Sequence, residues 1–250
     1  VDIERGAEDA LLACLADVPF LRVEQAQKEA PLNGDRLDLL VKVELPDSQQ
    51  TLACEVRNSG QPRVVREAVN QLLRYRQWIP GAYGVVVAPY LSPAAAEICS
   101  QEGIGYVDLA GNCRLTFGQI YIRREGRPNP FPEKRDLRSL YSPRATRVLR
   151  VLLSNPGRKW KLQALAAEAG VSLGQCFNVK KLLSDRERVR GEPDGFSLID
   201  PWKLLEEWTA NYTLSRNQTK DFYSLKSIVE IESDLAEFCA KEGIRYALTG

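Results

Sequence analysis

Apolar side chains recur along this chain at two periods, and the change of period marks the elements. From residue 34 to residue 60 the run GDRLDLLVKVELPDSQQTLACEVRNSG alternates at Leu37, Leu39, Val41 and Val43, then again at Leu52, Cys54 and Val56. Period two predicts a pair of strands, with Pro46 and Asp47 opening the turn between them. Before it, AEDALLACLAD puts Ala7, Leu11, Leu12 and Leu15 at helical spacing, and PFLRVEQAQ is expected to be an edge strand. After it, RVVREAVNQLLRYRQWI is an amphipathic helix with Val65, Val69, Leu72 and Leu73 on one face. A short apolar strand (GVVVAPY), a capped helix (SPAAAEICSQEGI) and another strand (GYVDLAG) follow. A turn at Gly111-Asn112, flanked by CRLTF and QIYIRRE, adds hairpins that close a mixed sheet flanked by helices.

The segment RPNPFPEKRD, with its cluster of prolines, is a linker. Beyond it the period is helical. Ser142 at an N-cap and Pro143 at N1 start a helix that runs to Ser154, and QALAAEA forms a second. Gly170 makes a turn, and Ser172 caps a third helix to about Ser184, with Leu173, Phe177 and Leu182 expected in the core. ERVRGEPDGFSLID then forms two strands around Pro193-Asp194-Gly195. A helix from Pro201 stacks Leu204, Leu205, Trp208 and Tyr212 as a further core face, and Asn217-Gln218-Thr219 is a glycosylation sequon without consequence in a cytoplasmic protein. Near the end SDLAEFCAKEGIRYALTG echoes PAAAEICSQEGIGYVDLAG, a helix, tight turn and strand. The expected organisation is a sheet domain over 1–126, a linker over 127–141, a helical domain over 142–200, and over 201–250 a helical extension opening a truncated α/β domain.

Composition narrows the chemistry. With 44% hydrophobic and 27% charged residues in 250, the chain is of ordinary globular type. No apolar run reaches the roughly 18 residues of a membrane span, and no signal peptide opens the chain. The six cysteines are scattered without a Cys-x-x-Cys pair, which fits small core residues in a reducing, cytoplasmic compartment. Histidine is absent, so Ser-His-Asp and Cys-His catalysis and histidine-held metals are excluded within this chain. The net charge of +1 hides an asymmetry, because residues 134–191 hold fourteen Lys/Arg against four Asp/Glu. A basic block inside a near-neutral chain points to a polyanion partner.

Candidate chemistry lies in the period-two segment. Glu55 and Arg57 share a face of their strand, and a cross-strand Asp38 sets its carboxylate beside that of Glu55. Two carboxylates held together repel unless a cation shares them, and oxygen ligands of this kind suit Mg²⁺. The pattern Asp38, then Glu55-Val56-Arg57, with the strand and helix order around it, resembles the PD-(D/E)XK nuclease-like superfamily over roughly residues 5–124. That resemblance implies a restriction-endonuclease-like fold and, in an active member, Mg²⁺ or Mn²⁺ on Asp38 and Glu55 with help from the Val56 carbonyl. Gln71 stands where some members keep a polar residue near the metal, and Glu8 or Asp9 where some bring a first-helix acid. The family's lysine is replaced by Arg57, whose guanidinium steadies charge but exchanges no proton. Without that lysine, the expectation leans away from catalysis. The stretch DLAGN lacks the GxxxxGK[ST] pattern of a phosphate loop and is expected to be a turn.

The order helix, helix, Gly-containing turn, helix, two-stranded wing resembles the winged helix-turn-helix modules that bind double-stranded DNA. On that resemblance the third helix enters the major groove, presenting Ser172, Gln175, Asn178, Lys180 and Lys181. Arg186, Arg188 and Arg190, expected to alternate along the wing, and Arg158 and Lys159 before the second helix, meet phosphates. The domain order is similar to that of the bacterial AbiEi-type antitoxin and transcriptional-regulator family, which implies a regulator that needs no cofactor to bind DNA, with a toxin or a second copy as protein partner. Two alternatives stay open: a Mg²⁺-dependent endonuclease targeted by its winged helix, and an N-terminal domain serving as a dimerisation or protein-binding scaffold.

Overall fold

The computed structural model describes residues 3–131, 140–212 and 223–246. Most of the expected linker (132–139), with Lys134, Arg135 and Arg138 of the basic block, lies outside them, as do the sequon and residues 247–250. The chain forms two compact units, residues 1–211 and 212–250.

The first unit opens with helix α1 (Ile3–Leu15) and a seven-stranded mixed sheet: β1 (Arg22–Leu32), β2 (Asp35–Leu45), β3 (Ser48–Val56), β4 (Tyr83–Ala88), β5 (Gly105–Asp108), β6 (Cys113–Phe117) and β7 (Ile120–Arg124). The strands lie in chain order. The central pairs β3–β4 and β4–β5 are parallel, and all the others are antiparallel. Parallel neighbours need crossovers, which are helix α2 (Pro62–Tyr75) and helix α3 (Pro93–Gln101). Period two sorts the side chains. Val85, Val87 and Val107 pack with Leu11 and Leu15 of α1, while Val86, Ala88 and Tyr106 pack with Val65, Val69 and Leu72 of α2 and with Ile98 and Cys99 of α3. The result is three layers with a core on each side of the sheet.

The edge strand expected within PFLRVEQAQ is β1, and it runs on to Leu32 because Asn33 and Gly34, at φ 48° and 87°, close a two-residue hairpin into β2. Beyond β3, two loops are stitched together. Gly60 pairs with Leu91 as an isolated parallel bridge, and Ser92 N–H donates to the Gly60 carbonyl at 3.3 Å. Buried Asp108 holds the neighbouring turn through Asn112 and the Leu91 N–H, so DLAGN is a structural turn, as expected.

The helical part of the same unit comprises α4 (Ala145–Ser154), α5 (Leu162–Ala169), α6 (Leu173–Asp185), the antiparallel pair β8 (Val189–Glu192) and β9 (Gly195–Leu198), and α7 (Pro201–Asn211). Gly170, left-handed at φ 61°, ends α5, and the Ser172 hydroxyl caps α6 by accepting the Gln175 N–H at 3.2 Å. The core here is Leu149, Leu152, Trp160, Leu165, Cys176, Val179, Leu183 and Phe196. Three sequence expectations are corrected. Leu173 and Phe177 are 47% and 53% exposed, because Cys176, Val179 and Leu183 turn inward instead. Of the face expected on α7, Leu204 is buried and Trp208 partly buried, whereas Leu205 and Tyr212 are exposed. The arginines 186, 188 and 190 do not alternate along a wing strand, since Arg186 caps α6 and β8 begins only at Val189.

The second unit contains α8 (Ile228–Glu242), started by a capping box between Ser227 and Glu230. The echo noted in the sequence is local geometry as well. Gly103 and Gly243 have φ of 63° and 65°, and the Ile104 and Ile244 N–H groups donate to the carbonyls of Cys99 and Cys239 at 2.9 Å. Of the strand expected after Ile244, Arg245 and Tyr246 are described and are not in a strand, and the rest lies outside the described residues. All six cysteines are buried and unbridged. No helix among the described residues is long and apolar enough to cross a membrane.

A Cβ on Gly60 would stand 1.8 Å from the Tyr90 carbonyl oxygen, a clash with backbone that no rotamer relieves. Gly60→Ala is therefore expected to cost about 2–3 kcal/mol by forcing the two loops apart. Chemical denaturation checks this, and an unchanged midpoint would refute it.

Candidate charge cluster and basic helical surface

The β2–β3 register sets Leu39 opposite Cys54, so Asp38 and Glu55 fall side by side at the end of the hairpin. The backbone at Arg57 is fixed by its N–H, which donates to the Val87 carbonyl of β4 at 2.8 Å. From there the guanidinium reaches back into a ring of oxygens. Its Nη1 donates to Asp38 Oδ2 at 3.2 Å and to the Val56 carbonyl at 2.9 Å. Its Nη2 lies 2.5 Å from Glu55 Oε2 and donates to Gln71 Oε1 at 2.8 Å. Asp38 Oδ2 also accepts the Val56 N–H at 2.7 Å. Gln71 in turn donates to the Tyr75 hydroxyl, which donates to the Arg36 carbonyl at 3.2 Å and ties α2 to β2. The four residues singled out from sequence, Asp38, Glu55, Arg57 and Gln71, are thus one hydrogen-bonded cluster. Tyr75, one helical turn beyond Gln71, is the member that sequence reasoning missed, and its spacing is the signal that could have found it. Glu8 stands elsewhere, paired with Lys28 at 2.9 Å.

Glu55 is 1% exposed at its side chain, and its Oε1 has no hydrogen-bond partner among the described residues. Burial raises its pKa to about 7, against the pull of Arg57 and with a further push from Asp38. Burial also raises the Tyr75 phenol.

Of the groups that the nuclease resemblance assigns to a divalent metal, Arg57 holds one oxygen each: Asp38 Oδ2, Glu55 Oε2 and the Val56 carbonyl. A guanidinium and a Mg²⁺ ion cannot share those atoms. No group of three or more His, Cys, Asp or Glu side chains stands ready for a metal among the described residues. The site as built does not fit a divalent ion, because its cation is already covalently part of the chain.

On the helical part, the residues expected to meet DNA do not form one surface. Asn178 and Lys181 lie on the exposed face of α6 with Leu173 and Phe177, while Gln175 and Lys180 are half-buried beside it. Lys180 Nζ sits 5.5 Å from the Phe196 ring centroid. The Ser172 hydroxyl is engaged as a cap. Arg158 and Lys159 are exposed at the α4–α5 turn but paired with Glu168 at 3.0 Å and Glu192 at 2.5 Å. Arg190 is exposed on β8. Arg188 departs most from expectation: it is 7% exposed and bonded to Glu207 of α7, which leaves it nothing to offer a phosphate. Arg144, Arg150, Lys161, Lys181 and Arg190 are exposed and have no carboxylate within ion-pair distance among the described residues.

Neither a protein-family model nor a curated protein matches this chain. Among solved structures, an EndoMS–dsDNA complex aligns at 16% identity over 41% of this chain and 44% of that one, with a TM-score of 0.30. A repair endonuclease from Pyrococcus abyssi aligns at 18% identity over 40% and 46%, with a TM-score of 0.29. A protein of unknown function aligns at 12% identity over 73% and 96%, also with a TM-score of 0.29. The chain thus spans less than half the length of the two nucleases, and likenesses this partial identify neither family nor reaction.

The cluster makes two predictions. An ordinary glutamate releases its proton near 4.5, whereas Glu55 in the fold keeps it to about 7. Its contribution to stability is therefore complete below pH 4.5 and is lost as pH rises through about 7. Glu55→Gln should flatten the fall in melting temperature across that window, and the same slope in both proteins would refute it. Arg57→Ala should cost about 3 kcal/mol at alkaline pH by leaving two adjacent carboxylates without a cation. The double variant Glu55→Gln, Arg57→Ala should recover much of that loss; additive losses in the two-site cycle would contradict the coupling.

Proposed function

We propose that this protein binds double-stranded DNA through its helical part, used as a winged helix-turn-helix, and that its sheet domain is a restriction-endonuclease-like scaffold that does not cleave. The observation that carries the first half is a set of exposed cations with no carboxylate within ion-pair distance among the described residues: Lys181 on the capped helix α6, Arg190 on β8, Lys161 at the start of α5, and Arg144 and Arg150 at α4. Unpaired cations release phosphate counterions on binding, which gives affinity that is steeply salt-dependent. Asn178 and Gln175 supply amides suited to base edges, and Phe177 and Leu173 suit thymine methyls. The second half rests on Arg57. Its guanidinium holds one oxygen of each group a metal would need, and it stands where an active member keeps a lysine.

In this reading the Asp38–Glu55–Arg57–Gln71 network is structural. It fastens β2, β3 and α2 at the edge where a nuclease would do its chemistry. A regulatory or antitoxin role, with a toxin or second copy as partner, rests on sequence resemblance alone. One observation favours a second reading, in which α6 binds a protein: Leu173 and Phe177 expose apolar surface one helical turn apart.

Fluorescence anisotropy with a labelled duplex tests the proposal. The charge reversals Lys180→Glu and Lys181→Glu, made together, should weaken binding about tenfold or more and reduce the salt slope by about 1 for each phosphate no longer neutralised. Unchanged duplex affinity, together with loss of self-association in Phe177→Ala, would replace DNA by a protein partner. Supercoiled plasmid in Mn²⁺ or in EDTA should be retarded and intact. Nicking that needs both the metal and Asp38 would overturn the non-cleaving half.

A further inference from the structure

A cleft of about 590 Å³ lies within the first unit, walled by the loops after β3 and β4 on one side and by the end of α6 and helix α7 on the other. It sits beyond the carboxyl ends of the parallel strands β3 and β4, the position where open α/β sheets hold ligands. Its volume is in the range of small-molecule sites, which run from roughly 300 to 1,000 Å³.

The chemistry of the wall is uneven. Arg188 and Glu207 neutralise each other within it. Arg186 and Lys203 also line it, and neither has a carboxylate within ion-pair distance among the described residues. Opposite them are the starts of α2 and α3, at Gln61-Pro62 and Ser92-Pro93. The α2 start has no side-chain cap and no acid in its first turn, so its free backbone N–H groups keep their partial positive charge. Positive charge from an arginine, a lysine and the uncapped start of α2 thus meets in one cavity. The remaining wall is mostly apolar, and it includes the rings of Tyr90 and Tyr141 and the amides of Asn58 and Asn129. Tyr141 stays a neutral phenol, pushed up to about 12 chiefly by burial and then by Glu207. A ligand that fits all of this carries phosphate at one end and a flat ring with hydrogen-bonding edges at the other.

We infer that this cleft is a nucleoside-phosphate site, with Arg186 and Lys203 on the phosphate and Tyr90 and Tyr141 against the base. The same chemistry is presented by a free mononucleotide and by the 5′-phosphorylated end of a DNA strand. None of its lining residues is among the exposed cations Arg144, Arg150, Lys161, Lys181 and Arg190 proposed for the duplex, and none belongs to the Asp38–Glu55–Arg57 cluster.

The test is calorimetric titration of the full chain with dAMP, dGMP, dCMP and dTMP separately, with deoxyadenosine, and with a short single strand carrying either a 5′-phosphate or a 5′-hydroxyl. Binding of a mononucleotide that falls about tenfold or more on removal of the phosphate, and again in Lys203→Glu, would establish the free nucleotide as ligand. Binding of the 5′-phosphorylated strand only, abolished in the same variant, would establish the site with a strand end as its source. Arg186→Gln, with a far-UV spectrum and melting temperature matching the parent, guards against a folding defect in the first variant. Binding of none of these probes, or binding that neither substitution weakens, would overturn the proposal. Because no probe is a duplex, failure here leaves the winged-helix reading intact, and failure of duplex binding leaves this one intact.

Discussion

The sheet domain depends on one half-buried guanidinium. Asp38 and Glu55 are brought together by strand register alone, and register is set by the hydrophobic alternation that buries Leu39, Val41 and Cys54. Shifting it to separate the carboxylates would move every one of those side chains to the wrong face. The repulsion is therefore a consequence of the fold and must be met locally. Arg57 meets it, and its planar fork suits the task better than an ammonium would, since it reaches Asp38, Val56, Glu55 and Gln71 from two nitrogens. A lysine in its place would satisfy fewer of these acceptors and leave more room between the oxygens. The residue that suits the scaffold is thus one that occupies oxygens a metal would use.

The cluster was legible in the sequence because its logic is period two and sequence-local. Asp38, Glu55 and Arg57 follow from alternation within a single hairpin, whereas Gln71 entered only through the nuclease-like resemblance. The Asn33-Gly34 turn was passed over in the sequence, although Asn-Gly is a strong short-range hairpin signal. What could not be read was the rotation of α6. Its sequence offers apolar residues on two sides, Leu173 and Phe177 on one and Cys176, Val179 and Leu183 on the other, so periodicity supports either face. The packing of β9, through Phe196 and Leu198, decides it. Arg188 was illegible for a similar reason: a left-handed residue at Glu187, φ 54°, ends the helical turn and redirects the next side chain toward α7.

The cleft was invisible to sequence because its lining is drawn from positions far apart in the chain, from Asn58 to Asn211, with no motif in common. It exists because the two loops after β3 and β4 are locked by the Gly60–Leu91 bridge, which needs a residue without a Cβ.

The same economy appears in the charges of α6. Only three acids fall within the described part of the basic segment, and each is engaged: Glu168 by Arg158, Asp185 by Arg63 and Glu187 by Arg66. The last two pairs join α6 to α2 of the sheet domain, and Arg66 grips Glu187 through two nitrogens at 2.7 and 2.9 Å. Exposed pairs of this kind contribute little to stability, about 0–1 kcal/mol each. Their larger effect is electrostatic. The acids at the end of α6 are answered by arginines borrowed from another element, so they do not offset Lys180, Lys181 and Arg190. Docking the helical part on the sheet therefore preserves the positive field of α6 that a polyanion would sense, which links the scaffold to the proposed surface through charge, with no contact at the surface itself.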